Sequence, residues 1–152
     1  MGASKKSRAA SLLKFLLVVY LVVLVASHIT RAFSPTQFPY LPGQQFADVY
    51  EVNGTEFLSS TVSMAYKDYA AEDPHAPVLV ILHGSPVASS SLMNIASSLE
   101  GHFRLIVPDL PGFGGSTLEV GDYSVLAHAY YLDQLMKHLN IDEFHLAGYS
   151  MG

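Results

Sequence analysis

The chain of 152 residues contains no cysteine. That absence excludes disulfide bonds, cysteine nucleophiles and zinc sites built on thiolates. Basic side chains are also scarce after residue 34, where three Lys and Arg residues stand against 13 Asp and Glu residues, a net charge of −10. Surfaces that bind nucleic acid need clustered cations to neutralise phosphates. We therefore expect no nucleic-acid partner for the acidic part of the chain.

The first 34 residues have the opposite balance, with five basic side chains and no acidic one. They include an unbroken apolar run over residues 15–26. We predict a basic cytoplasmic leader over residues 1–11 and a transmembrane signal anchor over residues 12–29, since a helix of that length spans about 27 Å of a bilayer core of about 30 Å. The positive leader should stay in the cytoplasm and place the acidic part outside it.

A cleaved signal peptide is the alternative interpretation of the same segment. The apolar run also has signal-peptide length, and Val25-Ala26-Ser27 offers small residues at a cleavage position. Cleavage there would leave a secreted protein instead of a single-pass membrane protein.

Residues 30–45 are predicted to form a linker because they are rich in proline and contain glycine. Two strand-like runs follow, over residues 46–52 and 55–64, joined by Asn53-Gly54, a pair typical of a two-residue hairpin turn. Asn53-Gly54-Thr55 is also an N-glycosylation sequon. The turn explains these residues, so a hairpin is the preferred interpretation.

Beyond the hairpin, the hydrophobic period alternates between that of a strand and that of a helix. Buried strands are predicted over residues 77–82, 103–107 and 143–147, and helices over 89–99 and 124–140. The first helix should bury one face, and Ser124 should cap the second helix. The face that the first helix should bury comprises Leu92, Ile95, Ala96 and Leu99. The order predicts an α/β fold with a mostly parallel sheet and the hairpin antiparallel at one edge.

Three motifs fall at the ends of the three predicted strands, at the sheet edge where α/β proteins form binding sites. The last is Gly148-Tyr149-Ser150-Met151-Gly152, the G-x-S-x-G pattern of a nucleophile elbow. Such a turn exposes the serine hydroxyl, and its flanking glycines, Gly148 and Gly152, avoid β-carbons where the chain is too tight for them. Ser150 is therefore the candidate nucleophile.

A serine hydroxyl needs a general base, and the base needs an orienting group. All seven histidines precede Ser150 in the chain. His83 alone falls at the appropriate end of a strand, where it is better suited to brace the adjoining loop than to act as base. His145 is expected to be a buried core histidine, because it alternates within a predicted strand.

The first motif, His83-Gly84-Ser85-Pro86, follows the first buried strand. Acyl transfer creates an oxyanion that must be met by preorganised N–H donors. Pro86 has no N–H, so the donors are predicted to be the backbone of Ser85 and of Met151, the residue after the nucleophile. Gly84 would let this loop approach the substrate closely. An ordinary strand-ending turn is the alternative for this motif taken alone.

The second motif runs from Asp109 to Ser116 and contains Gly112 and Gly114. It lacks the Gly-Lys-Ser/Thr ending of a phosphate-binding loop, and no predicted helix begins on its glycines. A flexible crossover is the remaining alternative for this segment taken alone.

Together, the HGSP, DLPGFGGS and GYSMG segments resemble the α/β-hydrolase superfamily, in particular its esterase- and lipase-like members. The resemblance covers about residues 46–152, the N-terminal part of such a domain. It implies that Ser150 is the nucleophile and that Ser85 and Met151 form the oxyanion hole. Asp109, with its two glycines, would form a structural loop beside the site. Relatives with epoxide-hydrolase or dehalogenase activity carry Asp at the elbow, so Ser150 argues against those activities.

The triad of this superfamily runs Ser, then Asp or Glu, then His, so both partners and the cap region are expected beyond residue 152. The resemblance implies a serine hydrolase that forms an acyl-enzyme on Ser150 with a small ester or related acyl substrate, without metal or cofactor, and the predicted anchor would place it at a membrane. The 152-residue chain alone is expected to be a truncated, inactive fragment. A non-catalytic, membrane-anchored binding protein with the same fold is the alternative.

Overall fold

The computed structural model describes residues 3–33 and 40–152, which belong to two units, Met1–Thr36 and Gln37–Gly152. In the first unit, helix α1 covers Ala3–Phe33. Its segment Ala9–Thr30 has a mean hydropathy of 2.6 and is long and apolar enough to cross a membrane, as a signal sequence also would be. The helix thus includes most of the predicted leader, whose Ala, Ser and Lys residues tolerate helical structure. The predicted linker lies partly outside the described residues.

The second unit contains one sheet of five strands in the order β1-β2-β4-β3-β5. The strands are β1 Gln45–Asn53, β2 Glu56–Tyr69, β3 Val78–Leu82, β4 Arg104–Pro108 and β5 His145–Gly148. The pairs β1/β2 and β2/β4 are antiparallel, whereas β3 pairs in parallel with both β4 and β5. The predicted α/β sheet with an antiparallel hairpin at one edge is confirmed, and the sheet is mixed.

Strand β2 continues past the predicted end at residue 64 to Tyr69. Its additional residues pair with β4, from Tyr66 opposite Pro108 to Tyr69 opposite Leu105. This long-range pairing has no local hydrophobic signal, and it joins the hairpin to the parallel strands.

Two helices follow in the second unit. A 3-10 turn over Ser89–Leu92 leads into α2, Met93–Leu99, and α3 covers Val125–His138. Ser124 caps α3 as predicted, since its Oγ accepts a hydrogen bond from the Ala127 N–H at 3.1 Å. Ile95, predicted to face inward, is 53% exposed. A 3-10 helix has three residues per turn instead of about 3.6, so this segment changes which side chains of the predicted helix face the sheet.

The core lies on both faces of the sheet. Ile106 of β4 belongs to the cluster that includes α3, whereas its neighbours Leu105 and Val107 pack with Leu92 and Ala96 on the opposite face. This alternation follows from the two-residue period of a strand. Strands β3 and β4 are therefore covered on both sides, as the central strands of an α/β sheet require.

Helix α3 covers the free edge of β1. The Gln134 side chain accepts a hydrogen bond from the Tyr50 N–H at 2.8 Å and donates one to the Tyr50 carbonyl at 3.0 Å. The Val52 N–H donates to the Tyr131 hydroxyl at 3.0 Å. These side chains satisfy backbone groups that would otherwise be open to strand pairing.

Strand β5 is the opposite edge strand of the described sheet, and all four of its residues are exposed. The prediction that His145 is a buried core residue is therefore wrong for this structure, because the strand has a partner on one side alone. Since β3, β4 and β5 are parallel, their carboxyl ends lie at the same edge of the sheet. The three motifs follow these ends.

Candidate active site

The elbow turn begins where β5 ends. The Tyr149 N–H donates to the Leu82 carbonyl at 3.1 Å, and the Gly152 N–H donates to the Tyr149 carbonyl at 3.1 Å. Between them, Ser150 is exposed and has a φ of 59°, in the left-handed region that L side chains seldom occupy. Such a conformation costs about 1–3 kcal/mol and persists where the surrounding structure holds it.

The glycines on either side of Ser150 occupy closed spaces. A β-carbon on Gly148 would overlap the backbone carbonyl group of Gly152. A β-carbon on Gly152 would lie 2.7 Å from the Leu82 carbonyl oxygen and 2.8 Å from that of His83. These contacts are with backbone atoms, so a small side chain cannot be accommodated by a rotamer change.

The His83-Gly84-Ser85-Pro86 loop lies directly against Ser150. A β-carbon on Gly84 would be 2.8 Å from the Ser150 β-carbon and 2.9 Å from the Tyr149 carbonyl oxygen. The structure thus brings the loop that carries Ser85 next to the turn that carries Ser150 and Met151. In the described part of the chain, neither the Ser85 N–H nor the Met151 N–H donates a hydrogen bond to another protein group.

His83 is fully buried and uses both ring nitrogens. Its Nδ1 lies 2.9 Å from the Gly84 carbonyl oxygen, and its Nε2 lies 3.0 Å from the Leu110 backbone nitrogen. Because the Leu110 N–H donates, Nε2 must accept and Nδ1 must carry the proton. Burial lowers the pKa of His83 below its usual value, which favours this neutral form. The ring therefore braces two loops and is not placed as a base.

Asp109 is 2% exposed, and its carboxylate accepts three hydrogen bonds. Oδ1 accepts from the Ser89 N–H at 2.7 Å, and Oδ2 accepts from Gln44 Nε2 and from the Gly115 N–H, both at 2.8 Å. Buried carboxylates are stable when such donors replace water. This geometry fits the structural loop that the sequence resemblance implies for Asp109.

The loop after Asp109 depends on two glycines with positive φ, 93° at Gly112 and 56° at Gly114. A β-carbon on Gly114 would overlap the Asp109 carboxylate, and one on Gly112 would lie 2.5 Å from the Tyr123 ring. His128, which the sequence did not single out, places its Nε2 3.0 Å from the Pro111 carbonyl oxygen in the same loop.

Gln44 and Ser89 are the site-supporting residues that sequence reasoning missed. Gln44 falls within the predicted linker, and nothing in its local sequence indicates a partner 65 positions away. Among residues 3–33 and 40–152, no imidazole or carboxylate forms a hydrogen bond with Ser150, and no group of three or more His, Asp or Glu side chains gathers where it could hold a metal ion.

Substitution of the elbow glycines tests the closed geometry of the turn. Gly148→Ala should lower the free energy of unfolding by about 3 kcal/mol or prevent folding, because the new β-carbon meets backbone atoms. Gly121→Ala is the matched control, since its β-carbon would meet only the flexible Glu51 carboxylate, at 3.3 Å. Denaturant unfolding of both variants checks this, and equal stability of the two would contradict the geometry.

The buried neutral His83 predicts a pH dependence of stability. Its folded-state pKa is lowered, so the unfolded chain takes up a proton more readily as the pH falls below the usual histidine pKa of about 6.5. The contribution of His83 to stability should be constant above that pH and decline as the pH falls below about 6.5. His83→Gln should reduce the slope of the denaturation midpoint against pH. An unchanged slope in this variant would show that His83 is not the titrating group.

Comparison with known proteins identifies the family and the fold of the chain. A family model described as alpha/beta hydrolase fold matches residues 77–152. A haloalkane dehalogenase from Bradyrhizobium diazoefficiens is 34% identical over 90 residues, which cover 59% of this chain and 28% of the relative.

Two solved structures share the fold. A probable hydrolytic enzyme from Pseudomonas aeruginosa matches with a TM-score of 0.63 at 23% identity, covering 76% of this chain and 36% of that one. A thermophilic esterase from Thermogutta terrifontis matches with a TM-score of 0.60 at 27% identity, covering 70% and 37%. The chain therefore spans about a third of the length of the relatives that it matches. It belongs to the α/β-hydrolase fold family.

Proposed function

We propose that the complete protein is a serine hydrolase in which Ser150 attacks the carbonyl carbon of an ester or related acyl bond. The observation that carries this proposal is the exposed Ser150 at a φ of 59°, with the Gly84 backbone packed against it. The loop that carries the Ser85 N–H thus adjoins the turn that carries Ser150 and the Met151 N–H, and neither N–H has a protein acceptor in the described residues. That combination suits a reaction in which an oxyanion forms next to the serine.

His83 supports this role by orienting the first oxyanion donor. In a trans peptide, the carbonyl of one residue and the N–H of the next point in opposite directions. The Gly84 carbonyl accepts from the buried His83 ring at 2.9 Å, so the Ser85 N–H of the same peptide is directed away from that ring. We assign the Ser85 and Met151 N–H groups to the oxyanion of the tetrahedral intermediate.

The reaction then proceeds through an acyl-enzyme. Ser150 Oγ loses its proton to a general base as it bonds to the carbonyl carbon, the alcohol leaves with a proton, and water hydrolyses the Ser150 ester. His83 does not serve as that base, since both of its nitrogens are engaged. We propose that the base and its orienting acid come from the part of the complete protein after Ser150, in the order acid then histidine.

The chemistry of a serine nucleophile also distinguishes between the activities named for the relatives. A serine oxygen that displaced a halide from an alkyl carbon would form an ether, which has no carbonyl for water to attack. A serine that attacks an acyl carbon forms an ester, which water cleaves. Ser150 therefore favours acyl substrates over the haloalkanes named for the Bradyrhizobium relative.

The apolar helix supports a location at a membrane. We propose that residues 12–29, within the apolar segment Ala9–Thr30, form a signal anchor and that the domain lies outside the cytoplasm, because Lys5, Lys6 and Arg8 precede the segment. A secreted protein after signal cleavage is the alternative. A non-catalytic, anchored binding protein is the alternative to the enzyme.

Replacement of the nucleophile tests the reaction. In the full-length protein, Ser150→Ala should reduce kcat/KM for short acyl esters by about 10⁴-fold, because no oxygen remains to form the acyl-enzyme. Ser85→Ala should retain most of the activity, since its proposed donor is a backbone N–H. Retention of ester hydrolysis by Ser150→Ala would exclude Ser150 as the nucleophile. Asp109→Asn should reduce activity mainly by disturbing the structure of its loop.

Protease accessibility tests the proposed location. Protease added to intact cells or spheroplasts should digest the domain after residue 35, while a cytoplasmic control protein stays intact. Retention of the apolar helix in the mature protein, measured by N-terminal sequencing, should separate an anchor from a cleaved signal. Full protection of the domain until the membrane is permeabilised would contradict the orientation.

A further inference from the structure

Gln44 lies in a short turn just before β1 and is held by that turn. Its backbone N–H donates to the Leu41 carbonyl at 3.0 Å, and its Oε1 accepts from the Leu41 N–H at 3.1 Å. Because the amide oxygen is engaged by Leu41, the amide nitrogen must face the other way. The two hydrogen bonds to Leu41 therefore fix the orientation of the Gln44 side chain.

The fixed amide nitrogen meets the buried carboxylate beside the site. Gln44 Nε2 donates to Asp109 Oδ2 at 2.8 Å, across 65 positions of the sequence. The amide also packs on Gly115, where a β-carbon would lie 3.0 Å from its oxygen and 3.1 Å from its nitrogen. Gln44 thus supplies the one side-chain donor among the three hydrogen bonds that Asp109 accepts.

Asp109 connects Gln44 to the chain segment that follows Ser85. Its other oxygen accepts from the Ser89 N–H at 2.7 Å, four residues after Ser85, where the loop enters the 3-10 turn. Gln44, Ser89, Asp109 and Gly115 line a cavity of about 20 Å³. Such a space holds about one water molecule, so the carboxylate has little room to shift without moving the Ser89 backbone.

We propose that Gln44 is a positioning residue for the active site. Its amide holds the Asp109 carboxylate against Ser89 and so fixes the loop that presents the Ser85 N–H; the kinetic consequence rests on the function proposed above. Loss of this donor leaves Asp109 with two donors and lets the Ser85 peptide move relative to Ser150. The oxyanion would then be less well stabilised, whereas substrate binding would change little.

The chain offers a matched pair of variants. Gln44→Glu keeps the size of the side chain but replaces the N–H donor with an oxygen that repels Asp109. Gln45→Glu makes the same change one residue later, where the side chain is exposed and its oxygen only accepts from the Tyr66 hydroxyl, at 3.3 Å. A carboxylate can still accept there, so the control should behave as the original protein does.

Amide hydrogen exchange in the full-length protein tests the contact without reference to activity. Gln44→Glu should accelerate exchange at the Ser89 and Gly115 N–H groups by about tenfold, since one hydrogen bond to a charged group is lost from their shared acceptor. Gln45→Glu should leave both rates unchanged. Gln44→Met, which removes the donor without adding charge, should act in the same direction by a smaller factor. Unchanged exchange at Ser89 in both Gln44 variants would overturn the proposal.

Kinetics separate positioning from simple loss of folded protein. The concentration of active enzyme is first measured by active-site titration. Gln44→Glu should then lower kcat for a short ester by about tenfold or more, while KM changes by less than about twofold. It should weaken inhibition by a boronic acid that mimics the tetrahedral intermediate by the same factor as kcat. Unchanged kcat and inhibition despite faster exchange would refute the positioning role. If the original protein hydrolyses no ester, the proposed function fails, and the exchange result still decides whether Gln44 holds Asp109.

A double variant adds a rescue test. In Gln44→Glu with Asp109→Asn, the asparagine nitrogen can donate to the new carboxylate while its oxygen still accepts from the Ser89 N–H, so Ser89 exchange should be slower than the two single changes predict together. The Gly115 N–H would face the same nitrogen and should gain no such protection. Strictly additive effects would show that residues 44 and 109 do not act through their mutual contact.

Discussion

The rest of the site depends on the three hydrogen bonds that the buried Asp109 carboxylate accepts. Removing a carboxylate from water is costly, and here two backbone N–H groups and one side-chain amide compensate for the lost hydration. The three donors come from the turn before β1, from the loop after β3 and from the loop after β4. A single charge thereby joins three segments that are distant in sequence, and its small cavity leaves little freedom to any of them.

A second constraint acts at the peptide between Gly84 and Ser85. The neutral His83 ring donates to the Gly84 carbonyl and accepts from the Leu110 N–H, so it links the same two loops that Asp109 links. The Gly84 backbone in turn lies against the strained turn at Ser150. Ser150 and the loop that carries the Ser85 N–H are thus held by backbone packing and buried polar side chains. This rigidity is what preorganised oxyanion stabilisation requires.

The sequence predicted the features that have a local signal. Alternating periods located the strands, Asn53-Gly54 located the hairpin and Ser124 located the start of α3, because each depends on neighbouring residues. Features set by distant contacts were missed or wrong: β2 continues where it pairs with β4, Ile95 turns outward after a 3-10 turn, and His145 is exposed on an edge strand. Gln44 belongs to the same class, since its partner lies 65 residues away.

We propose above that Ser150 is an activated nucleophile in the complete protein. The most direct measurement is mass spectrometry of the full-length protein after treatment with a fluorophosphonate, a reagent that phosphonylates serines activated by a neighbouring base. We expect one phosphonyl group per molecule, on the peptide that contains Ser150. A folded protein that remains unlabelled, or that carries the label on another residue, would contradict this proposal.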